Sequence, residues 1–188
     1  ELTVLVASGD GDGYSIGGNH FLHACRRNVD LTYIVMDNHV YGMTKGQPSP
    51  TTEPDWDSKL SPGGTGVRPF NPLVIALASG ANFVARAFSG DPNGTADIIA
   101  QAIRHPGFSF VEILSPCVTF RPEQRSWKEQ ARPAPVGPTS DSARAAHRLM
   151  TDDGFNIGVL YTGNRTPYPL GPRGTRREIA EIEAEFEL

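Results

Sequence analysis

Cysteine is scarce in this sequence of 188 residues, which contains two, Cys25 and Cys117. Two cysteines are too few for the disulfide framework of a small secreted domain and suit a reducing compartment, so a cytoplasmic location is expected. Long apolar runs are also lacking, since none approaches the 18 or more residues of a membrane span, and no signal peptide is visible. Positive charge is not in excess: the formal net charge is −4, which argues against nucleic acid as a partner.

Two short apolar runs, residues 2–7 and 31–36, are each followed by a polar turn. The first turn, residues 9–13, is rich in glycine, and the second spans residues 37–42. Apolar runs of this length are typical of buried parallel strands, and residues 16–28 between them predict a helix. Both turns are therefore expected at the carboxyl edge of a parallel sheet, where open α/β folds bind ligands.

The first turn carries both glycines and carboxylates. Glycine lets the backbone approach a diphosphate, and the start of the following helix offers free N–H groups. Asp10 and Asp12 would repel a bare diphosphate, whereas Mg²⁺ commonly bridges protein oxygens to phosphate oxygens. Asn38 could add an amide oxygen and Val40 a backbone carbonyl from the neighbouring strand end. The pattern therefore predicts a diphosphate site bridged by Mg²⁺, with Asp10, Asn38 and Val40 as the metal ligands.

The first turn has two other interpretations, a structural loop and a nicotinamide-binding turn. A lone Gly-Asp-Gly is more often a structural loop, but the second aspartate and the polar end of the next strand favour a ligand site. A nicotinamide-binding turn needs G-x-G-x-x-G and an acid about 20 residues later. Here the glycines stand at positions 9, 11, 13, 17 and 18, which does not fit that pattern.

The sequence of these turns resembles a known family. Gly9, Asp10 and Gly11, together with Asn38, resemble the motif with which thiamine enzymes bind thiamine diphosphate and Mg²⁺. A wider set of segments is similar to the β subunit of the 2-oxoacid:ferredoxin oxidoreductases, above all the 2-oxoglutarate enzymes. These segments are residues 9–20, 26–28, 33–38, 40–47, 49–51, 80–81, 83–86, 88–92, 102–105, 107–110, 114–120 and 157–161. The resemblance implies an α/β fold with a doubly wound, mostly parallel sheet of the thiamine diphosphate-binding type.

The resemblance also implies roles for single residues. Asp10, Asn38 and the Val40 carbonyl would hold Mg²⁺. The residues expected beside thiamine diphosphate are Gly9, Gly11, Asp12, His20, Gly42, Met43 and Thr44. For His20 a buried, hydrogen-bonded histidine is the alternative, while a zinc site shared with His23 lacks a third ligand.

The activity implied by the resemblance is oxidative decarboxylation of 2-oxoglutarate to succinyl-CoA and CO2. The thiamine ring acts as electron sink, an iron–sulfur centre passes electrons to ferredoxin, and coenzyme A takes the acyl group. In this family the essential glutamate lies on the α subunit. The site is thus expected at an interface, in a heterodimer or a dimer of heterodimers, and this chain alone should be inactive. Pyruvate or another 2-oxoacid as substrate, and a cofactor-binding module without catalysis, stay open as alternatives.

Residues 41–71 are rich in glycine and proline, which predicts a long loop without helix or strand. Long loops in compact domains usually have a function, so we expect this one to close over the cofactor and contact a partner chain. A mobile surface loop is the alternative. Within it, Met43 is predicted to line the substrate pocket and Lys45 to pair with the distal carboxylate of the substrate. A solvated surface lysine is the alternative for Lys45.

Cys117 follows the end of a predicted strand. In the resembled family the cysteine of Ser-Pro-Cys at this place supplies one ligand of a [4Fe–4S] cluster, and an N-terminal region with Cys-x-x-Cys character supplies the other three. Cys25 matches none of those positions, and the cluster needs four ligands. We therefore expect the chain to begin within a longer protein; loss of the cluster is the alternative.

The remaining chain alternates between strand and helix patterns, which favours a doubly wound sheet. Strands are predicted at residues 83–88, 108–114 and 157–161, and helices from Asn71, at 95–105 and at 142–150. On the first helix, Ser15 is expected as the cap, with Ile16, Phe21 and Leu22 towards the sheet and Cys25 in the core. Residues 1–165 are predicted to form the cofactor-binding domain and residues 166–188 a charged tail without a function of its own.

Overall fold

The structure is a computed structural model that describes residues 3–169, so most of the predicted tail lies outside the described residues. The six strands are β1 Leu5–Gly9, β2 Leu31–Asp37, β3 Phe83–Phe88, β4 Phe108–Leu114, β5 Arg132–Pro133 and β6 Asn156–Thr162. They form one sheet in the order β1–β2–β4–β3–β6–β5. The pairs β1–β2, β2–β4 and β4–β3 are parallel, β6 is antiparallel to β3, and β5 is parallel to β6.

Helices cover both faces of this sheet. They are α1 Gly18–Arg27, α2 Pro72–Ala78, α3 Pro92–Arg104, α4 Trp127–Gln130 and α5 Ser142–Thr151. Phe21 of α1, Leu73 of α2 and Leu149 of α5 belong to the core on one face, and Ile98 of α3 belongs to the core on the other. The predicted doubly wound, mostly parallel sheet is therefore confirmed. None of the helices described here is long and apolar enough to cross a bilayer.

The central strands form where continuous apolar runs can be buried on both faces. β3 and β4 have the predicted bounds, and every residue in them is buried. α2 and α3 each begin at a side-chain cap followed by proline. Asn71 Oδ1 accepts from the Val74 N–H at 3.1 Å at the start of α2, and Asp91 Oδ1 accepts from the Gly94 N–H at 3.0 Å at the start of α3.

The start of the first helix was predicted wrongly. The chain is already helical at Asp10, passes through a π-helical turn at Asp12–Ile16 and enters α1 at Gly18, with Gly17 as N-cap. Ser15 is therefore not the cap. Ile16 is 84% exposed and Leu22 is 37% exposed, so neither faces the sheet as expected, because the wider π turn changes which side chains point inward. The predicted burial of Phe21 and Cys25 is confirmed.

Asn28 joins three segments at the amino edge of the sheet. It ends α1 in the left-handed conformation, with φ 53°, and its side chain is fully buried. Its Oδ1 accepts from the Phe108 N–H at 2.8 Å. Its Nδ2 donates to the carbonyls of Arg165 and Thr166, each at 3.0 Å. One side chain thus holds the start of β4 and the chain after β6 against the end of α1.

A buried charge network interrupts the apolar core near the opposite edge. Arg86 of β3 lies beside Glu112 of β4, and the Nε to Oε2 distance is 2.6 Å. Its Nη1 lies 2.6 Å from Asp152 Oδ2. Burial alone would lower the pKa of Arg86, but the two carboxylates raise it above its ordinary value. The guanidinium therefore stays charged inside the protein.

Candidate functional site

The ends of β1 and β2 lie side by side at the carboxyl edge of the sheet. Their parallel register brings Asp10 and Asp37, the residues at the two strand ends, to the same level. Tyr41, from the second turn, crosses to the first, where its hydroxyl donates to the Gly11 carbonyl at 3.1 Å. The two polar turns that the sequence predicts to meet are thus brought together.

The glycines in these turns are required for different reasons. A Cβ on Gly11 would lie 2.2 Å from the ring of Tyr41, and one on Gly13 would lie 2.4 Å from a tyrosine hydroxyl. Both positions are therefore glycine because of packing within the protein. At Gly9 and Gly42 no atom lies within 4 Å of the Cβ position. These two positions leave room for a ligand to approach the backbone.

Asp10 is held by hydroxyl groups from the long loop. Its side chain is buried, and Oδ2 accepts from Ser49 Oγ at 2.5 Å and from Thr51 Oγ1 at 3.2 Å. Ser49 and Thr51 are themselves buried. This part of residues 41–71 is therefore packed into the strand ends, and a mobile surface loop does not describe it.

Asp37 shares Thr51 with Asp10. Its Oδ1 accepts from Thr51 Oγ1 at 2.7 Å and from the His39 N–H at 3.1 Å. Its Oδ2 is buried without a hydrogen-bond partner among the described residues. Burial raises the pKa of Asp37 to about 8, although His39 acts in the opposite direction. Ionisation of Asp37 is therefore disfavoured relative to that of an exposed aspartate, because its charge would be poorly solvated and close to that of Asp10.

An ion-pair chain ties the loop to the next part of the site. His39 Nδ1 lies 3.0 Å from Glu53 Oε1, and Glu53 Oε2 lies 2.6 Å from Arg121 Nη1. Burial alone would raise the pKa of Glu53, but His39 and then Arg121 lower it to about 2. The His39 ring meets Trp127 of α4 edge-on, with 5.0 Å between the ring centres. The loop is therefore fixed by charge as well as by packing.

Asn38 and Cys117 are connected through Gln124. The Asn38 Oδ1 accepts from the Val40 N–H at 3.1 Å, and its backbone carbonyl accepts from Gln124 Nε2 at 2.8 Å. Gln124 Oε1 accepts from the Cys117 N–H at 2.8 Å. Gln124 is buried, whereas Cys117 is partly exposed. One buried amide therefore joins the predicted metal ligand to the predicted cluster ligand.

The predicted magnesium ligands differ in kind from a cluster of acidic side chains. Within residues 3–169, no three His, Cys, Asp or Glu side chains are grouped so that they could hold a metal ion. The predicted set contains one carboxylate, one amide oxygen and one backbone carbonyl. Oxygen donors of these kinds suit a hard cation that keeps part of its own water shell.

Residues 41–47 form a hairpin closed by backbone hydrogen bonds between its ends. Met43 is 99% exposed, and the Thr44 hydroxyl donates to a glutamine side chain in the same hairpin. Lys45 is exposed, with φ 76°, and lines an open cavity with a volume of about 740 Å³. Asp10 and Asn38 do not line that cavity. The structure therefore does not bring Lys45 into contact with the strand-end residues.

His20 and Asp12 lie on the surface of the chain. His20 is exposed on α1, beside a shallow apolar cavity of about 220 Å³, so the alternative of a buried histidine is wrong. Asp12 is exposed at the start of the π-helical turn. The predicted cofactor contacts of both residues stay predictions.

Sequence reasoning missed several residues that shape the site. Ser49 and Thr51 fall within the similar segments, but no role was predicted for them. Gln124 and Arg121 lie in a stretch whose pattern predicts no element, and their partners are distant in the chain. A signal for Ser49 and Thr51 was present, since two hydroxyls in a loop opposite an unpaired aspartate are suitable donors for it.

The chain is similar in sequence to known proteins. Residues 1–113 match the family described as thiamine pyrophosphate enzyme, C-terminal TPP binding domain. The 2-oxoglutarate synthase subunit KorB of Archaeoglobus fulgidus is 50% identical over 121 residues, which cover 64% of this chain and 45% of that protein. The 2-oxoglutarate oxidoreductase subunit KorB of Mycobacterium tuberculosis is 47% identical over 120 residues, covering 64% of this chain and 32% of that protein. The 2-oxoacid:ferredoxin oxidoreductase subunit beta of Saccharolobus solfataricus is 45% identical over 119 residues, covering 63% and 39%.

A solved structure extends the likeness to the fold. It is a 2-oxoglutarate:ferredoxin oxidoreductase from Magnetococcus marinus with 2-oxoglutarate, coenzyme A and succinyl-CoA bound. The TM-score is 0.83 at 40% identity, and the match covers 89% of this chain and 59% of that chain. The chain thus spans less than half the length of the three curated relatives and about three fifths of the solved chain. The resemblance to these subunits is confirmed. Through residues 1–113, the chain belongs to the family described as thiamine pyrophosphate enzyme, C-terminal TPP binding domain.

Proposed function

We propose that this chain is the thiamine diphosphate-binding part of the β subunit of a 2-oxoglutarate:ferredoxin oxidoreductase. The observation that carries the proposal is the meeting of the Asp10 turn and the Asn38 turn at one sheet edge, linked by the hydrogen bond from Tyr41 to Gly11. The family match and the likeness to KorB subunits support the same conclusion.

The residues present fit Mg²⁺ and a diphosphate. Asp10 uses Oδ2 for its hydrogen bonds to the loop, so Oδ1 can bind a cation. Asn38 and the Val40 carbonyl complete the protein's set of oxygen donors. Open space beside Gly9 and Gly42 supports close approach of the diphosphate to the backbone. The further residues proposed beside the cofactor are Gly11, Asp12, His20, Met43 and Thr44.

The proposed reaction is oxidative decarboxylation of 2-oxoglutarate, with coenzyme A taking the succinyl group and ferredoxin taking the electrons. When bound, thiamine diphosphate supplies the electron sink for loss of CO2. This chain's part is to fix the diphosphate end and to shape the pocket. Lys45 is proposed to bind the distal carboxylate of the substrate, and Met43 is proposed to line the pocket beside it.

Cys117 is proposed as one ligand of a [4Fe–4S] cluster in the whole protein, and the complex is proposed to be cytoplasmic. The partial exposure of Cys117 leaves its thiol accessible to a cluster, and the two hydrogen bonds of Gln124 connect Cys117 to Asn38. We propose the α subunit as partner, in a heterodimer or a dimer of heterodimers. Large exposed apolar side chains next to both turns support a covering chain: Ile16 is 84% and Met43 is 99% exposed.

A second substrate class is favoured by one comparison. The Saccharolobus solfataricus relative, at 45% identity, is named for 2-oxoacids in general. A broader 2-oxoacid:ferredoxin oxidoreductase, which also takes pyruvate, is therefore the second candidate function.

Cofactor binding is tested by calorimetric titration of thiamine diphosphate into the chain assembled with its α subunit, with and without Mg²⁺. We expect uptake that depends on Mg²⁺, weakened strongly in Asp10→Asn and in Asn38→Ala. Asp97→Asn, on the exposed surface of α3, is the matched control and should bind normally. Tight binding of the diphosphate without any divalent ion would contradict the metal-bridged site.

Substrate choice is tested by ferredoxin reduction with 2-oxoglutarate and with pyruvate. A hydrogen bond to a charged group contributes about 1.5–3 kcal/mol, so Lys45→Ala should lower the kcat/KM ratio of 2-oxoglutarate to pyruvate by about 10- to 100-fold. Lys128→Ala, at an exposed lysine of α4, is the control. An unchanged ratio in Lys45→Ala would remove this assignment and leave the cofactor site untouched.

A further inference from the structure

The long loop reaches the buried carboxylate of Asp10 through two hydroxyl groups, Ser49 and Thr51. The bond from Ser49 Oγ to Asp10 Oδ2 is 2.5 Å, which is the length of a hydroxyl bonded to a charged carboxylate. All three side chains are at least nine-tenths buried: Asp10 is 3%, Ser49 is 7% and Thr51 is 5% exposed. Water therefore competes little for these bonds.

The two hydroxyls are not equivalent. Thr51 Oγ1 lies 2.7 Å from Asp37 Oδ1 and 3.2 Å from Asp10 Oδ2, and its single proton favours the nearer Asp37. Ser49 has Asp10 as its shortest contact. Ser49 is thus the main donor to Asp10, and Thr51 keeps the neighbouring carboxyl group in place.

The turn that carries both hydroxyls is rigid. The Ser49 N–H donates to Thr52 Oγ1 at 2.7 Å, and the Thr52 N–H donates back to the Ser49 carbonyl at 3.1 Å. Thr52 Oγ1 also donates to the His39 carbonyl at 2.6 Å. The Ser49 hydroxyl is therefore held at a fixed place beside Asp10 once this turn is docked.

We propose that Ser49 and Thr51 are positioning residues for the metal: Ser49 fixes the Asp10 carboxylate through Oδ2 and so presents Oδ1 to the cation, and Thr51, bonded to Asp37, anchors the loop that carries Ser49 at the strand ends. This inference rests on the proposed function and names a device that the magnesium site needs. Hydrogen bonds that orient a metal ligand typically change metal affinity by 10- to 100-fold. Because linkage is reciprocal, a cation on Asp10 should in turn stabilise the docked loop.

The test is a calorimetric Mg²⁺ titration of the chain assembled with its α subunit, at saturating thiamine diphosphate. Ser49→Ala and Thr51→Val should each weaken Mg²⁺ binding by about 10-fold or more, and Ser49→Thr and Thr51→Ser should retain most of it. Ser109→Ala is the matched control, because it removes a buried hydroxyl of β4 that donates to the Ala102 carbonyl and has no contact to Asp10 or to the Ser49 turn. If Thr51→Val does not fold, Ser49→Ala, which removes one oxygen, decides the test.

A second readout follows the loop itself. Mg²⁺ with thiamine diphosphate should slow proteolysis within residues 41–71 of the wild type, and this protection should be much smaller in Ser49→Ala. Mg²⁺ affinity within twofold of wild type in both Ser49→Ala and Thr51→Val, while Asp10→Asn loses binding, would overturn the positioning role and leave the proposed function standing. Loss of affinity in Ser109→Ala equal to that in Ser49→Ala would overturn it as well, because the effect would then be general to the removal of a buried hydroxyl. No Mg²⁺-dependent binding in the wild type would instead refute the proposed function.

Discussion

Replacing Asn28 measures how strongly one side chain joins three segments at the amino edge of the sheet. Asn28→Ala removes the acceptor of the buried Phe108 N–H and the donor to two carbonyls, and it places alanine at φ 53°. A buried N–H without a partner costs about 1–3 kcal/mol. Left-handed backbone costs alanine about 1–2 kcal/mol. We therefore expect the free energy of unfolding to fall by about 2–5 kcal/mol.

Two further variants separate the side chain from the backbone. Asn28→Gly loses the same hydrogen bonds but adopts the left-handed conformation freely, so it should cost about 1–2 kcal/mol less than Asn28→Ala. Asn28→Asp keeps an acceptor for Phe108 but turns a second oxygen towards two carbonyls at a buried site, so it should destabilise the protein at least as much as Asn28→Gly. Asn93→Ala, at an exposed asparagine of α3, is the control and should change little.

The measurement is urea unfolding followed by circular dichroism. With a slope of about 2 kcal/mol per molar urea, the Asn28→Ala midpoint should move down by about 1–2.5 M. Wild-type stability of Asn28→Gly, within about 0.5 kcal/mol, would refute the reasoning, because the three hydrogen bonds would then contribute nothing. Equal stability of the glycine and alanine variants would refute the backbone part alone.

Three other predictions concern packing, charge and the buried thiol. Gly11→Ala places a Cβ 2.2 Å from the ring of Tyr41, so it should cost about 1–3 kcal/mol in urea unfolding and be relieved in the double variant with Tyr41→Ala. Arg86→Met leaves two buried carboxylates without their cation and should cost about 3–5 kcal/mol in the same assay, far more than Arg104→Met on the exposed face of α3. Burial raises the pKa of Cys25 to about 12, so at pH 8 its thiolate fraction is about 10⁻⁴ and mass spectrometry after iodoacetamide should find it unmodified in the native chain.

The parts of the fold that the sequence predicts well are those where local pattern and burial agree. β2, β3 and β4 are mostly apolar runs, and such runs have few alternatives to a strand buried on both faces. The first helix was predicted to begin at residue 16, but the glycine-rich turn before it is already helical. Glycine has no conformational preference that would indicate this. β5 and α4 were missed because two and four residues are too short to show a period.

The candidate site could likewise be predicted only in part. Asp10 and Asn38 could be expected to meet because parallel strands end at a common edge. The contacts that hold Asp10 could not be foreseen, because Ser49 and Thr51 lie in a loop without periodicity and reach Asp10 through the tertiary fold. For Lys45 the sequence suggested a position near the cofactor, and the structure shows an exposed hairpin residue whose role is still to be tested.

Gln124 gives the strand-end region one more property. A carboxamide that accepts from one backbone and donates to another cannot be exchanged for glutamate, which lacks a donor, or for asparagine, whose stem is shorter by one methylene. The backbone at Asn38 and the backbone at Cys117 are consequently held at a fixed separation by the Gln124 side chain. Movement of either backbone segment must therefore move the other or break a buried hydrogen bond of Gln124.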